Sequence, residues 1–144
     1  MRAQRNQESL QMYLETILKL SLHQQYVHSI EIANAMGFSK PSVSIAMKNL
    51  KEQGYITVDS DSHIHLTDAG RKIAVTIYER HLVLTKFFEA LGIQPDVAEE
   101  DACRIEHFIS AETFQAIRDY GVKQGLLKGD PESELHEPQE KIAN

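Results

Sequence analysis

The segment DACRIEHFIS, residues 101–110, contains three side chains that can ligate a metal ion. It has no Pro or Gly, so we predict a helix in which Cys103, Glu106 and His107 lie at positions i, i+3 and i+4 on one face. A thiolate, a carboxylate and an imidazole that converge suit Fe(II), Mn(II), Co(II), Ni(II) or Zn(II) better than calcium or magnesium. Three ligands do not complete a coordination shell, so other parts of the chain must supply the rest.

The composition is that of an ordinary soluble protein, with 144 residues of which 42% are hydrophobic and 25% are charged. No apolar run has the length of a membrane span, and the N-terminus lacks the apolar core of a secretory signal. The single cysteine excludes an internal disulfide framework. We therefore expect a cytoplasmic protein without a membrane partner, in which Cys103 is reduced and available as a ligand.

The net charge of −6 is unevenly distributed along the chain. Residues 1–72 hold 8 Lys+Arg and 7 Asp+Glu, a net charge of +1, whereas residues 73–144 hold 7 and 14, a net charge of −7. The acidity belongs to the half that contains the candidate metal ligands. The N-terminal half is free to approach a polyanion such as DNA.

The first helix is predicted from Ser9, as its N-cap, to about Leu22, after a polar segment 1–8 that we expect to be frayed. Met12 and Glu15 lie three residues apart on a face beside its apolar stripe. From this pattern alone, Met12 would be interpreted as a flexible core side chain.

Residues 29–54 predict two short helices joined by a tight turn at Gly37. Ser29 and Ser39 are in position to cap these helices, and Gly54 is in position to end the second. The arrangement is typical of a helix-turn-helix, whose second helix enters the major groove of DNA. The side chains expected to face inward are Ile30, Ile32, Ala33, Met36, Val43, Ala46, Met47 and Leu50.

The start of the second helix carries small, mostly polar side chains, which allow a close approach to base edges and phosphates. The candidate DNA-binding residues are Ser39, Lys40, Pro41, Ser42, Ser44 and Lys48. An alternative is that helix pairs are common and these serines serve only as caps. The segment that follows favours double-stranded DNA as the partner.

That segment, residues 55–66, alternates in polarity around the turn-forming cluster Asp59-Ser60-Asp61-Ser62 and predicts a β-hairpin of strands 55–58 and 63–66. A hairpin directly after a helix-turn-helix makes a winged helix. His63 and His65 alternate outward on the second strand. They are either metal ligands or exposed wing residues, and we expect the latter.

Thr67 is in position to cap a helix of about 24 residues that carries His81 in its middle and ends before Gly92. A helix of this length should enter a second domain, and its several apolar faces predict a homodimer. The next helix is predicted to begin at Gln94 and to include the segment 101–110. A last helix, with Ser110 as its cap, is predicted to run to about Gln124.

The predicted fold is therefore mainly α-helical with a small β-wing. A winged helix-turn-helix domain is expected in residues 1–72 and a helical metal-binding and dimerisation domain in residues 73–127. Residues 128–144 are rich in Pro and Glu and are predicted to be a flexible acidic tail.

Over about residues 9–120, the sequence resembles the diphtheria-toxin-repressor family of metal-dependent transcriptional regulators. The resemblance rests on MYLETILKL, SKPSVSIAMKNLKEQGYI, LTDAGRKIA, ERH and DACRIEHFIS. It implies a winged helix followed by a helical dimerisation domain, and a metal-activated repressor of metal-homeostasis genes. Iron-responsive members often add an SH3-like domain for which this chain is too short, so in length it resembles the manganese-responsive branch.

The resemblance also implies the primary metal ligands. The iron branch's primary site matches Met12, Cys103, Glu106 and His107. The metal would then connect the first helix to the second domain. The resemblance therefore favours Met12 as a metal ligand over Met12 as a core side chain. The manganese branch has Asp and Glu where this chain has Met12 and Cys103.

The manganese branch's remaining ligands match Glu15 and His81. In the iron branch, the residue that matches His81 belongs to an ancillary site, together with a histidine that is Glu99 here and a glutamate that is Thr85 here. The chain thus combines soft, iron-type donors with Glu15. Donor softness favours Fe(II) as the cofactor, with Mn(II) as the alternative.

Two other functions remain open from the sequence. In a winged-helix redox sensor, Cys103 would be oxidised while Glu106 and His107 tune its thiol. A metallo-hydrolase would use the same three residues. The sequence lacks an HExxH motif and an obvious general base beside an open coordination position, so we do not expect an enzyme.

Overall fold

The computed structural model describes residues 2–127, and it describes side chains from Arg5 onward. The elements are α1 (Arg2–His23), α2 (Ser29–Met36), α3 (Lys40–Glu52), β1 (Ile56–Val58), β2 (Ile64–Leu66), α4 (Asp68–Ala90), α5 (Pro95–Ile105) and α6 (Ala111–Lys123). The chain divides into two compact units, with the boundary after Val75, inside α4. The predicted tail at 128–144 lies outside the described residues.

The first unit is a helix-turn-helix with a two-stranded wing, as predicted. Helix α1 packs against α2, α3 and β2. The turn between α2 and α3 begins at Gly37, whose φ of 68° is in the left-handed region that glycine adopts without a steric cost. The strands are antiparallel, with Ile56 opposite Leu66 and Val58 opposite Ile64. The largest fully buried side chains in this unit are Leu14, Ile17, Leu18, Ile32, Val43 and Ile56.

Three predictions about the first two helices are wrong. Helix α1 begins at Arg2, so Ser9 lies inside it and is not its cap. The polar residues before Ser9 include no Gly or Pro and several good helix formers, so the helix extends through them. The N-cap of α2 is His28 rather than Ser29, and the His28 backbone N–H donates to Glu31 Oε2 over 3.1 Å. Ile30, expected inside, is 41% exposed.

The second unit, from Thr76 onward, has its own apolar core. Its buried members are Val83 and Leu84 of α4, Ala102 of α5, Phe114 of α6 and Leu127. The N-cap of α6 is Ser110, as predicted, and its Oγ accepts from the Thr113 backbone N–H over 3.1 Å. None of the helices in the described part of the chain has the length and apolar character needed to cross a membrane.

The segment 101–110 is not helical throughout, which corrects the first prediction made from the sequence. Helix α5 ends at Ile105, Glu106 keeps right-handed helical angles as the C-cap, and a turn follows. The turn allows Ile109 to pack against the core of the second unit and Ser110 to take the extended conformation of an N-cap. Glu106 and His107 therefore belong to the end of a helix and to a turn.

Candidate functional site

Glu106 is the centre of a buried cluster in the second unit. Its Oε2 lies 2.9 Å from His81 Nδ1, and its Oε1 lies 3.3 Å from His107 Nε2. The side chain of Glu106 is 2% exposed, and those of the two histidines are 7% exposed. A carboxylate buried to this extent needs charged or hydrogen-bonding partners, and the two imidazoles provide them.

Cys103 adds a sulfur donor to this cluster. Its Sγ lies 3.6 Å from His81 Nδ1, and one donor atom each from His81, Cys103 and Glu106 all lie within 4.8 Å of one another. Metal–ligand bonds of about 2.0–2.3 Å in a tetrahedral shell separate the donors by about 3.3–3.8 Å. Small side-chain movements are sufficient to reach that spacing, so the residues fit a divalent transition metal. Cys103 is exposed and gives an ion access from solvent.

Arg80 holds the turn that carries two of these residues. Its Nη1 donates to the backbone carbonyls of Glu106, over 3.3 Å, and Ile109, over 3.2 Å. The guanidinium also lies over the ring of Phe114, 5.6 Å from the centroid. This role of Arg80 was not predicted from the sequence. The available signal was its position beside His81 in the ERH motif.

Glu99 is at the edge of the cluster. Its Oε1 lies 4.0 Å from His81 Nε2, and its side chain is 67% exposed. Thr85, which replaces an acidic residue of the iron branch, donates its hydroxyl to the His81 backbone carbonyl over 2.7 Å. At this edge of the cluster, Glu99 therefore offers an exposed carboxylate, whereas Thr85 offers no acidic group.

The remaining predicted ligands, Met12 and Glu15, lie on α1 in the first unit. Met12 is 39% exposed, which is not the burial expected of a core side chain. Glu15 is buried, and its Oε1 forms an ion pair with Lys19 Nζ at 2.7 Å. The predicted ligand set is thus divided, with His81, Glu99, Cys103, Glu106 and His107 in one unit and these two in the other.

All the candidate DNA-binding residues at the start of α3 are exposed, namely Ser39, Lys40, Pro41, Ser42, Ser44 and Lys48. Ser39 serves as the N-cap, and its Oγ accepts from the Ser42 backbone N–H. Ile45, which was not among the predicted DNA-binding residues, is 63% exposed beside them. An exposed aliphatic side chain on such a helix can contact the methyl group of thymine. The sequence did contain a signal, because Ile45 is apolar but is not among the residues predicted to face inward.

The chain matches two parts of one known family. Residues 7–64 match the "Iron dependent repressor, N-terminal DNA binding domain", and residues 67–122 match the "Iron dependent repressor, metal binding and dimerisation domain". Both matches agree with the order of the two units in the structure.

Individual relatives and solved structures agree with these family matches. The chain is 33% identical over 113 residues to the transcriptional regulator MntR of Escherichia coli O6:H1, which covers 78% of this chain and 73% of that protein. It is 28% identical over 104 residues to the iron-dependent repressor IdeR of Mycobacterium tuberculosis, covering 72% of this chain and 45% of IdeR. A solved manganese-dependent transcriptional repressor in complex with manganese is 30% identical, with a TM-score of 0.71 over 85% of this chain and 55% of that one. The chain thus spans about half the length of that solved repressor.

Proposed function

Because the chain belongs to the iron-dependent repressor family, also called the diphtheria-toxin-repressor family, we propose that it is a metal-activated transcriptional repressor. It binds operator DNA as a homodimer in the cytoplasm and represses genes of metal-ion homeostasis when the ion is plentiful. Residues of about 1–72 bind DNA through the start of α3, and residues of about 73–127 bind the metal and form the dimer.

The observation that carries this proposal is the convergence of His81, Cys103 and Glu106, with His107 in contact with Glu106. These four side chains supply two imidazoles, a thiolate and a carboxylate, a donor set that suits a divalent transition metal. Met12, Glu15 and Glu99 are included as further ligands on the resemblance alone.

We propose Fe(II) as the physiological ion, with Mn(II) as the alternative. The thioether of Met12 and the thiolate of Cys103 are soft donors, whereas Mn(II) prefers carboxylate oxygens. The relatives named above include regulators described for each of these ions.

Metal binding and DNA binding are expected to be coupled, because ligands on α1 belong to the unit that carries α3. The coupling is reciprocal, so operator DNA should tighten metal binding by the same factor by which metal tightens DNA binding. This mutual effect is measurable without any catalytic readout.

The test is fluorescence anisotropy of labelled operator DNA, titrated anaerobically with Fe(II), Mn(II) and Zn(II). His107→Ala should lose activation by every ion, since it removes the imidazole beside Glu106. His23→Ala is the matched control, because it removes a histidine at the end of α1 that lies outside the cluster. Full activation of the His107→Ala protein would overturn the proposal.

The relatives named above do not favour a redox role for Cys103. Two of them are described as iron-dependent and manganese-dependent repressors, and the third is the transcriptional regulator MntR. The redox alternative makes the opposite prediction for two reagents. A metal-activated repressor should release its operator on addition of a chelator under anaerobic reducing conditions. Release by peroxide with no effect of the chelator would favour the thiol switch instead.

A further inference from the structure

The wing, residues 56–66, contains a second group of potential metal ligands. Oδ2 of Asp59 lies 3.1 Å from His63 Nδ1 and 3.0 Å from His65 Nε2. These three donor atoms all lie within 4.8 Å of one another. His63 and His65 are two residues apart along β2 and its approach, a spacing that places side chains on the same face of an extended strand. The expectation that both are simply exposed is wrong for His63, whose side chain is only 17% exposed.

The carboxylate of Asp59 is held in a fixed orientation. Its Oδ1 accepts the backbone N–H groups of Asp61, over 2.9 Å, and His63, over 3.0 Å. Oδ2 is therefore directed at the imidazoles. Metal-ligating carboxylates and imidazoles are generally fixed by such additional hydrogen bonds, which reduce the ordering cost of binding an ion.

The ring of His63 is also fixed by its neighbours. Tyr26 stacks on it with centroids 4.0 Å apart and an interplanar angle of 14°, and His28 contacts it edge-on at 4.8 Å. The strand after it is anchored where the Ile64 backbone N–H donates to the Val27 carbonyl over 2.7 Å. These contacts connect His63 and the start of β2 to the segment between α1 and α2.

The ring nitrogens that face Asp59 can act as ligands. An imidazole that donates its N–H to Oδ2 can, as the other tautomer, carry the proton on its second ring nitrogen and present a lone pair to an ion.

We propose that Asp59, His63 and His65 form a second metal site, in the wing, that takes Zn(II) or a similar divalent ion with a preference for imidazole. A tetrahedral shell with bonds of about 2.0–2.1 Å separates its donors by about 3.3 Å. The two Asp59–histidine distances already lie within a few tenths of an ångström of that value. The side chains of His65 and Asp59 are 51% and 38% exposed, which leaves the fourth position open to solvent.

This site shares no residue with the cluster around Glu106, so it can be tested by itself. The experiment uses the full chain carrying Cys103→Ala and His107→Ala, which together leave only the His81–Glu106 pair at the proposed regulatory site. Bound metal is counted after equilibrium dialysis against micromolar Zn(II). In that background, one equivalent of zinc should remain, and adding His65→Gln or Asp59→Asn should weaken its binding at least tenfold.

Two further measurements keep the result specific. His23→Gln, in the same background, is the matched control and should retain the equivalent, since this histidine lies outside the wing. Zn(II) should also shift the ring-proton NMR signals of His63 and His65 and leave that of His23 unchanged. Equal zinc binding by the His65→Gln protein and its parent, or unshifted signals of His63 and His65, would overturn the proposal.

Discussion

Dimer formation is expected to depend strongly on Phe108, which lies in the turn after α5. Phe108 is 62% exposed in the single chain, and Ile105, three residues earlier, is 37% exposed. These side chains lie in the part of the chain that matches a metal-binding and dimerisation domain. Large exposed apolar side chains in such a domain are candidates for burial against a second copy.

The size of the effect follows from the exposed area. A phenylalanine side chain can bury about 200 Å², so roughly 120 Å² of Phe108 is open to a partner. A two-fold interface uses the same residue twice, which gives about 250 Å² and an upper bound of about 6 kcal/mol at ~25 cal/mol per Å². Burial is incomplete and ordering costs offset part of it, so Phe108→Ala should weaken the dimer by about 3 kcal/mol, roughly a hundredfold in Kd.

The assay is sedimentation equilibrium of the full chain over a wide concentration range, with and without metal. Phe38→Ala is the matched control, because Phe38 is 44% exposed but belongs to the DNA-binding unit. Its dimer should dissociate with the parent's Kd. A Phe108→Ala dimer within threefold of the parent would refute the assignment of Phe108 to the interface. A parent protein that is monomeric at micromolar concentration would refute the homodimer itself.

Three other outcomes are expected. Ser42→Glu places a carboxylate against phosphates and base edges and should abolish operator binding while the circular dichroism spectrum and thermal midpoint stay unchanged; normal binding would contradict the groove assignment. Gly70→Ala should lower the free energy of unfolding, measured in urea, by about 2 kcal/mol or more. Its new methyl group would clash with the backbone carbonyl of the residue before β1. In Gly121→Ala the methyl group meets only a leucine side chain, which can move, so the free energy of unfolding should fall less. Met12→Asp combined with Cys103→Glu should raise the response to Mn(II) relative to Fe(II) in anaerobic operator titrations, and an unchanged ratio would place selectivity outside these two side chains.

The winged helix could be predicted because its signals are local. A glycine at the turn after α2, a serine cap before α3 and a turn-forming cluster between two alternating segments each act within a few residues. The start of α1 was predicted wrongly because two local signals compete there. Ser9 is a good cap by type, but the helix-forming residues before it outweigh that preference.

The end of α5 could not be predicted, because its cause lies elsewhere in the chain. The break after Ile105 is stabilised by hydrogen bonds from Arg80, 26 and 29 residues away from the two carbonyls that it caps. The stacking of Tyr26 on His63 is likewise a contact between residues far apart in sequence. Local patterns named the candidate ligands, whereas their orientation depends on these long-range contacts.

The geometry around Glu106 explains why two consecutive residues can serve one site. Consecutive positions in a helix are about 100° apart, so Glu106 and His107 lie on the two sides of the face that Cys103 occupies. Their long side chains close this gap, and His107 Nε2 lies 3.3 Å from Glu106 Oε1. Arg80, which fixes the turn, is adjacent to His81, which contacts Glu106 from the other side. One turn of α4 therefore supplies one candidate ligand and also the arginine that positions two others, so a shift of α4 would displace all three together.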